Sequence, residues 1–168
     1  MNYSFLSLIQ CPRCASGEMI LEDENGHSGD NINSGTISCR KSMNKITVNK
    51  GILDCLGNDP SQDIKKEVQG SLKMLKRERA NVDDKWLLSL PISFQDIHHD
   101  LKGHDALSDL RYLVECMQIP PHGIVIDLGA GTCWASGYLS KWGHNVIAVD
   151  INSDKYVGLD SAEVYFRN

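Results

Sequence analysis

Short apolar runs separated by Gly, Asn, Asp and Ser fill the first third of the chain: GEMILE, GTISC, KITVN and GILDCL. Runs of this length between turn residues predict strands, and so a small β-rich module held by turns. After GNDPSQD, a linker and helix start, the period lengthens. Ile64, Val68, Leu72 and Leu75 recur at helical spacing, with Lys65, Lys66, Lys73, Lys76, Arg77 and Arg79 mostly off that stripe. A second helix is expected over residues 106 to 117, where Leu107, Leu110, Leu113 and Val114 share one side. It stops before IPPHG, because a proline pair cannot continue it.

From Gly123 the pattern changes again. GIVIDL is a continuous apolar run suited to a strand covered on both faces, ASGYLSKWG reads as a helix stopped by Gly143, and HNVIAVD is the next buried strand. Strand, glycine-rich turn, helix and strand in that order predict the first βαβ unit of a parallel, doubly wound sheet. The expected fold class is therefore α/β, in three parts: a small β-rich domain over 1–57, a helical connecting region over 58–121, and the start of a Rossmann-like domain over 122–168.

Composition narrows the functional classes. With 168 residues, 41% hydrophobic and 23% charged, the chain can bury one modest core and a small satellite domain. No apolar run approaches the roughly 18–20 residues of a membrane span. The N-terminus also lacks a basic stretch followed by a long apolar one, so a cytoplasmic location without membrane partners is expected. A formal net charge of −5 argues against a global attraction to nucleic acid. Cysteines in a chain without an export signal fit ligands or buried thiols better than disulfides.

The turn after GIVIDL carries candidate chemistry. Asp127, Gly129 and Gly131 form D-x-G-x-G at a strand end, and glycines there let bare backbone approach a ligand. Asp150 closes the next strand about 20 positions later, where an acid can accept hydrogen bonds from a ribose diol. Such a pair suits a dinucleotide or S-adenosylmethionine, and two residues separate the two. The dinucleotide fingerprint needs a third glycine for close helix packing at the position of Trp134. Asp127 would repel a diphosphate, whereas the same carboxylate would pair with the ammonium of a methionine moiety.

At these residues the sequence resembles the class I S-adenosylmethionine-dependent methyltransferases. Their first motif, apolar-apolar-Asp/Glu-x-Gly-x-Gly-x-Gly, is matched by VIDLGAGTC, with Cys133 in place of the third glycine. The resemblance implies that Asp127 binds the ligand's ammonium directly or through water, that Gly129 and Gly131 line its methionine end, and that Asp150 holds the ribose hydroxyls. It also implies a sheet of about seven strands. Only two strands and the start of a third element, GLDSAEVYF, follow Gly123. The chain is accordingly expected to be the N-terminal portion of a longer enzyme, with the beginning of a cofactor site and little activity of its own. The residues name neither a catalytic base nor a methyl acceptor.

The N-terminal module supplies a second signal. Cys11-Pro-Arg-Cys14 is a C-x-x-C knuckle, a spacing that lets two thiolates point at one tetrahedral zinc, and Cys39 follows further on. A full ribbon would repeat the knuckle, but the fourth place holds Ser42. Cys55, His27 or a water are alternatives for it, and a metal-free ribbon with buried cysteines is another. The region resembles the small zinc-ribbon-like domain fused to methyltransferases or acting as their partner subunit, with its C-P-x-C opening and a closing G-I-x-x-x-L at Gly51, Ile52 and Leu56. That resemblance implies a possible protein partner for this domain.

Other features weigh less. His98, His99 and His104 lie in a polar stretch that suits a solvated loop as well as a cleft. The basic helix reads as a solvated face rather than a track for RNA. Trp86, Trp134 and Trp142 fit packing better than base stacking, and Cys116 fits a core position. Two further readings stand beside the methyltransferase: a non-catalytic interaction module with a vestigial nucleotide-binding unit, and a fragment of an NAD-dependent oxidoreductase.

Overall fold

The computed structural model describes residues 1–22, 27–56, 61–78, 83–91 and 105–167. They form a mixed α/β structure that divides into two compact units, Met1–Gln62 and Asp63–Asn168. Among the described residues no helix is long and apolar enough to cross a membrane. The stretch holding His98, His99 and His104 lies outside the described residues.

The N-terminal unit opens with a 3-10 helix, Tyr3–Leu8. Strands follow at β1 (Met19–Leu21), β2 (His27–Ser28), β3 (Asn31–Ile32), β4 (Gly35–Cys39), β5 (Lys45–Asn49) and β6 (Ile52–Asp54). β1, β4, β5 and β6 pair in that order as an antiparallel sheet, while β2 and β3 make a separate hairpin about Gly29-Asp30. Alternation decides what is inside: Ile46 and Val48 of β5 are buried and Lys45, Thr47 and Asn49 are exposed. They join Leu6, Cys11, Met19, Ile32, Ile37 and Cys39 in one core. Lys50 (φ 50°) and Gly51 (φ 78°) turn β5 into β6, both in the left-handed region that a tight hairpin requires. Ile37 is fully buried on β4, opposite Ile46. Ile37→Val is expected to destabilise this unit by about 0.5–1.5 kcal/mol in urea unfolding.

The C-terminal unit begins with the basic helix α1 (Gln62–Glu78). Ile64, Val68, Ser71 and Leu72 are half-buried, while Lys65, Lys66, Lys73 and Arg77 are exposed, which is the solvated face the spacing predicts; the side chains of Leu75 and Lys76, and Arg79, lie outside the described residues. The short α2 (Asp84–Leu88) is capped by Asp83, whose carboxylate accepts from the Trp86 N–H at 2.8 Å. Trp86, Leu87, Leu90 and Val164 form the core of this unit, with Trp134 and Tyr156 against it. α3 (Ala106–Cys116) buries no residue fully; Leu107, Leu110 and Val114 are half-buried and Leu113 is exposed. Cys116, expected in a core, is exposed, because it lies off that stripe. The Arg111 guanidinium sits 5.5 Å from the centre of the Trp142 ring.

β7 (Ile124–Leu128) and β8 (Asn145–Val149) pair in parallel, Ile124 beside Asn145 through Leu128 beside Val149. α4 (Trp134–Lys141) connects them, as a parallel pair requires. It ends in a Schellman motif: Gly143, at φ 90°, donates to the Ser140 carbonyl at 3.0 Å and His144 to the Leu139 carbonyl at 3.2 Å. The final helix, α5 (Ala162–Arg167), brings the Tyr165 hydroxyl to donate to the Leu87 carbonyl at 2.8 Å. Gly137 of α4 packs on the Tyr165 ring, where an added Cβ would stand 3.2 Å from a ring carbon.

One expectation changes in the parallel pair. GIVIDL reads as a strand covered on both faces, yet Ile124, Ile126 and Leu128 are 51%, 59% and 76% exposed. α4 packs against the pair on the face that carries Val125 and Asp127, which are half-buried. The opposite face is open among the described residues.

Candidate metal centre and glycine-loop site

The metal centre lies at one end of the antiparallel sheet. Cys11 and Cys14 come from the loop before β1, and Cys39 ends β4. Pairing of Met19 with Cys39 brings the two together. The three Sγ atoms lie within 4.8 Å of one another, with Cys14 and Cys39 3.6 Å apart, so they are close enough to bind one metal ion. Cys11 and Cys39 are buried and Cys14 is half-buried. Cys55 is exposed and outside this cluster; the His27 side chain lies outside the described residues.

The surroundings favour thiolates. The Ser42 hydroxyl and backbone N–H, then the Lys41 N–H, donate to Cys39 and pull its pKa down to about 6. The Ser42 hydroxyl, whose one proton can go to only one of the two sulfurs at a time, lies 3.2 Å from the Cys11 Sγ, and with the N–H groups of Arg13 and Cys14 it holds the Cys11 pKa below its ordinary value. Since a metal binds the thiolate, proton competition at Cys39 begins only as the pH falls toward about 6.

The second site sits at the carboxyl ends of β7 and β8. Gly129 (φ 74°), Gly131 (φ 50°) and Cys133 (φ 56°) are all left-handed, so the loop coils tightly before α4 starts. Val149 ties its base down, accepting from Gly129 at 2.8 Å and Ala130 at 3.1 Å. An added Cβ at Gly129 would meet nothing within 4 Å, so the bare backbone there borders open space. The conformation at Cys133 supplies the physical reason for a glycine at that place. Its small side chain fits, but its backbone is one that only glycine adopts at no cost.

Asp150 reaches this loop, and Asp127 reaches the helix that follows it. One Asp150 oxygen accepts from the Gly131 N–H at 2.8 Å and the other from the Asn152 N–H at 2.8 Å. Asp127 accepts from the Ser136 hydroxyl of α4 at 2.7 Å. A carboxylate has about four lone-pair positions, so each acid keeps acceptor capacity.

Sequence reading missed Ser136, and it missed how Asp150 is set. Asp150, Asn152 and Asp154 form successive side-chain turns, Asn152 accepting from Asp154 and Asp154 from Tyr156, each at 2.9 Å. The alternating acids and amide of DINSD are a local signal for such a ladder.

Cys133 is buried, with its thiol 3.7 Å from the Gly131 carbonyl. Burial pushes its pKa up to about 11, the Ser161 hydroxyl opposing and the Asp127 and Asp150 charges adding to the rise. It is thus a packing thiol rather than a nucleophile. Iodoacetamide at pH 8 is expected to label the exposed Cys116 and to leave Cys133 unmodified by mass spectrometry. Equal labelling of the two would contradict this placement.

Comparison of the chain with family models, with curated proteins and with solved structures finds no match.

Proposed function

We propose that residues 122–168 begin a Rossmann-like, S-adenosylmethionine-binding domain, and that the chain is the N-terminal part of a methyltransferase with a fused zinc-ribbon-like domain. The observation that carries the reading is the meeting of Gly129, Gly131 and the Asp150 carboxylate in the loop after β7, with Asp127 near the end of β7 and held by Ser136 of α4. Open sheets of parallel strands bind ligands at that end. The open space beside the bare Gly129 backbone fits close approach of a ligand. The exposed Ile124, Ile126 and Leu128 are the face that a doubly wound sheet covers with a further layer.

The residues present divide the work. Asp127 would hold the ammonium, oriented by the Ser136 hydroxyl. Gly129 and Gly131 would line the methionine end, and Asp150 would hold the ribose hydroxyls with lone pairs left over from its two backbone partners. The cofactor supplies a sulfonium methyl that an acceptor nucleophile displaces in line, so the protein's part is orientation and proximity. In the N-terminal unit, Cys11, Cys14 and Cys39 would hold a structural zinc.

Calorimetric titration with S-adenosylmethionine, with NAD as the counter-ligand, tests the reading. Heat with the first and none with the second is expected. The reverse would favour the oxidoreductase, and silence with both would favour a non-catalytic interaction module.

A further inference from the structure

The two cysteine turns of the N-terminal unit are built alike. In the first, the Cys11 N–H donates to the Ser16 carbonyl at 2.8 Å and the Ala15 N–H returns to the Cys11 carbonyl at 2.8 Å. In the second, Cys39 donates to the Asn44 carbonyl at 2.9 Å and Met43 returns to the Cys39 carbonyl at 2.9 Å. Ala15 and Met43 hold the same station in the two turns, and both are left-handed, at φ 55° and 56°. That conformation costs a non-glycine residue about 1–2 kcal/mol, so its presence at one station in both turns is not a matter of local preference. Matching the turns puts Cys39 where Cys11 stands and Ser42 where Cys14 stands.

The side chains complete the figure. The Ser42 Oγ lies 3.2 Å from the Cys11 Sγ, opposite the Cys14–Cys39 approach of 3.6 Å. Ligand atoms bound tetrahedrally to one zinc, at about 2.3 Å for sulfur and about 2.0 Å for oxygen, stand about 3.5–3.8 Å apart. These two separations are within a few tenths of an ångström of that, and the three sulfurs all lie within 4.8 Å of one another.

We propose that Ser42 is the fourth donor of this centre, which then holds zinc by three thiolates and one hydroxyl oxygen. The assignment rests on the metal reading of the N-terminal unit. A hydroxyl is a weaker donor than a thiolate and leaves the site one negative charge short of a four-thiolate centre. With zinc bound, the Ser42 oxygen would be the weakest of the four donors, and Cys11, Cys14 and Cys39 would supply the lasting hold on the ion.

Cobalt(II), a coloured stand-in for zinc, tests this in the full chain with a competing chelator. The wild-type chain is expected to bind one equivalent. Ser42→Cys should keep one equivalent, raise the thiolate-to-cobalt absorption in the ratio of four thiolates to three, and tighten zinc. Losing an outer partner of a metal ligand weakens affinity by about 10–100-fold, so Ser42→Ala, which removes a ligand as well as a partner of Cys11 and Cys39, should weaken zinc by more than about 100-fold. Binding in the wild type that Ser42→Ala leaves unchanged would show a water at the vertex and overturn the role of Ser42, with the metal reading intact. No binding in either the wild type or Ser42→Cys would overturn the metal reading itself.

Discussion

If the cysteine cluster holds zinc as proposed, stripping it is expected to unfold the N-terminal unit and leave the C-terminal unit folded. The N-terminal core rests on Leu6, Met19, Ile32, Ile37, Ile46 and Val48 with two cysteines. Domains of this size bury only about 60% of their unfolded surface and are marginal without a staple. A structural zinc contributes an apparent free energy on the order of 10 kcal/mol or more, comparable to or above the whole stability of such a unit. Each kcal/mol lost lowers the melting temperature of a small domain by about 4–8 °C. Scanning calorimetry with a strong chelator should therefore show an early transition, or none, for Met1–Gln62. Cys39→Ala should reproduce that loss with metal present. A thermogram indifferent to both would mean a ribbon that folds without metal.

The second large effect concerns Asp127 and Asp150. Asp127→Asn keeps an oxygen for the Ser136 hydroxyl and removes the charge that would pair with an ammonium. The expected result is a loss of S-adenosylmethionine affinity of about 10–100-fold, the worth of a charge-assisted hydrogen bond. Stability should hold within about 1 kcal/mol, since the neutral hydrogen bond survives. Asp150→Ala should lose binding altogether and also destabilise the C-terminal unit by about 1–3 kcal/mol, because the Gly131 and Asn152 N–H groups lose their acceptor. The contrast separates a ligand contact from a loop strut. An Asp127→Asn chain that binds as well as the wild type would remove the acid from the site.

Local chemistry carried most of what the sequence revealed. KITVN shows its strand because it alternates about a single buried face, GTISC shows its strand as a short run between turn residues although Ile37, Ser38 and Cys39 are all buried, and Gly143 marks a helix stop because its left-handed backbone closes a Schellman turn. GIVIDL carries no such alternation to read. An all-apolar strand looks the same whether one face or two are covered, so the exposure of Ile126 and Leu128 appears only in three dimensions. The cysteine spacing pointed to a knuckle, but the likeness of the two turns lies in backbone hydrogen bonds and in the left-handed conformations of Ala15 and Met43, which no residue type there announces. Ser136 was out of reach for a related reason: its meeting with Asp127 needs the turn between them to coil through Gly129, Gly131 and Cys133.

We propose that the glycine loop between β7 and α4 receives S-adenosylmethionine. Amide nuclear magnetic resonance of the labelled chain during titration with that ligand tests it most directly. Saturable shifts are expected at the Gly129 and Gly131 N–H groups, with the N-terminal unit unmoved. Unchanged resonances at both glycines at millimolar ligand would contradict it.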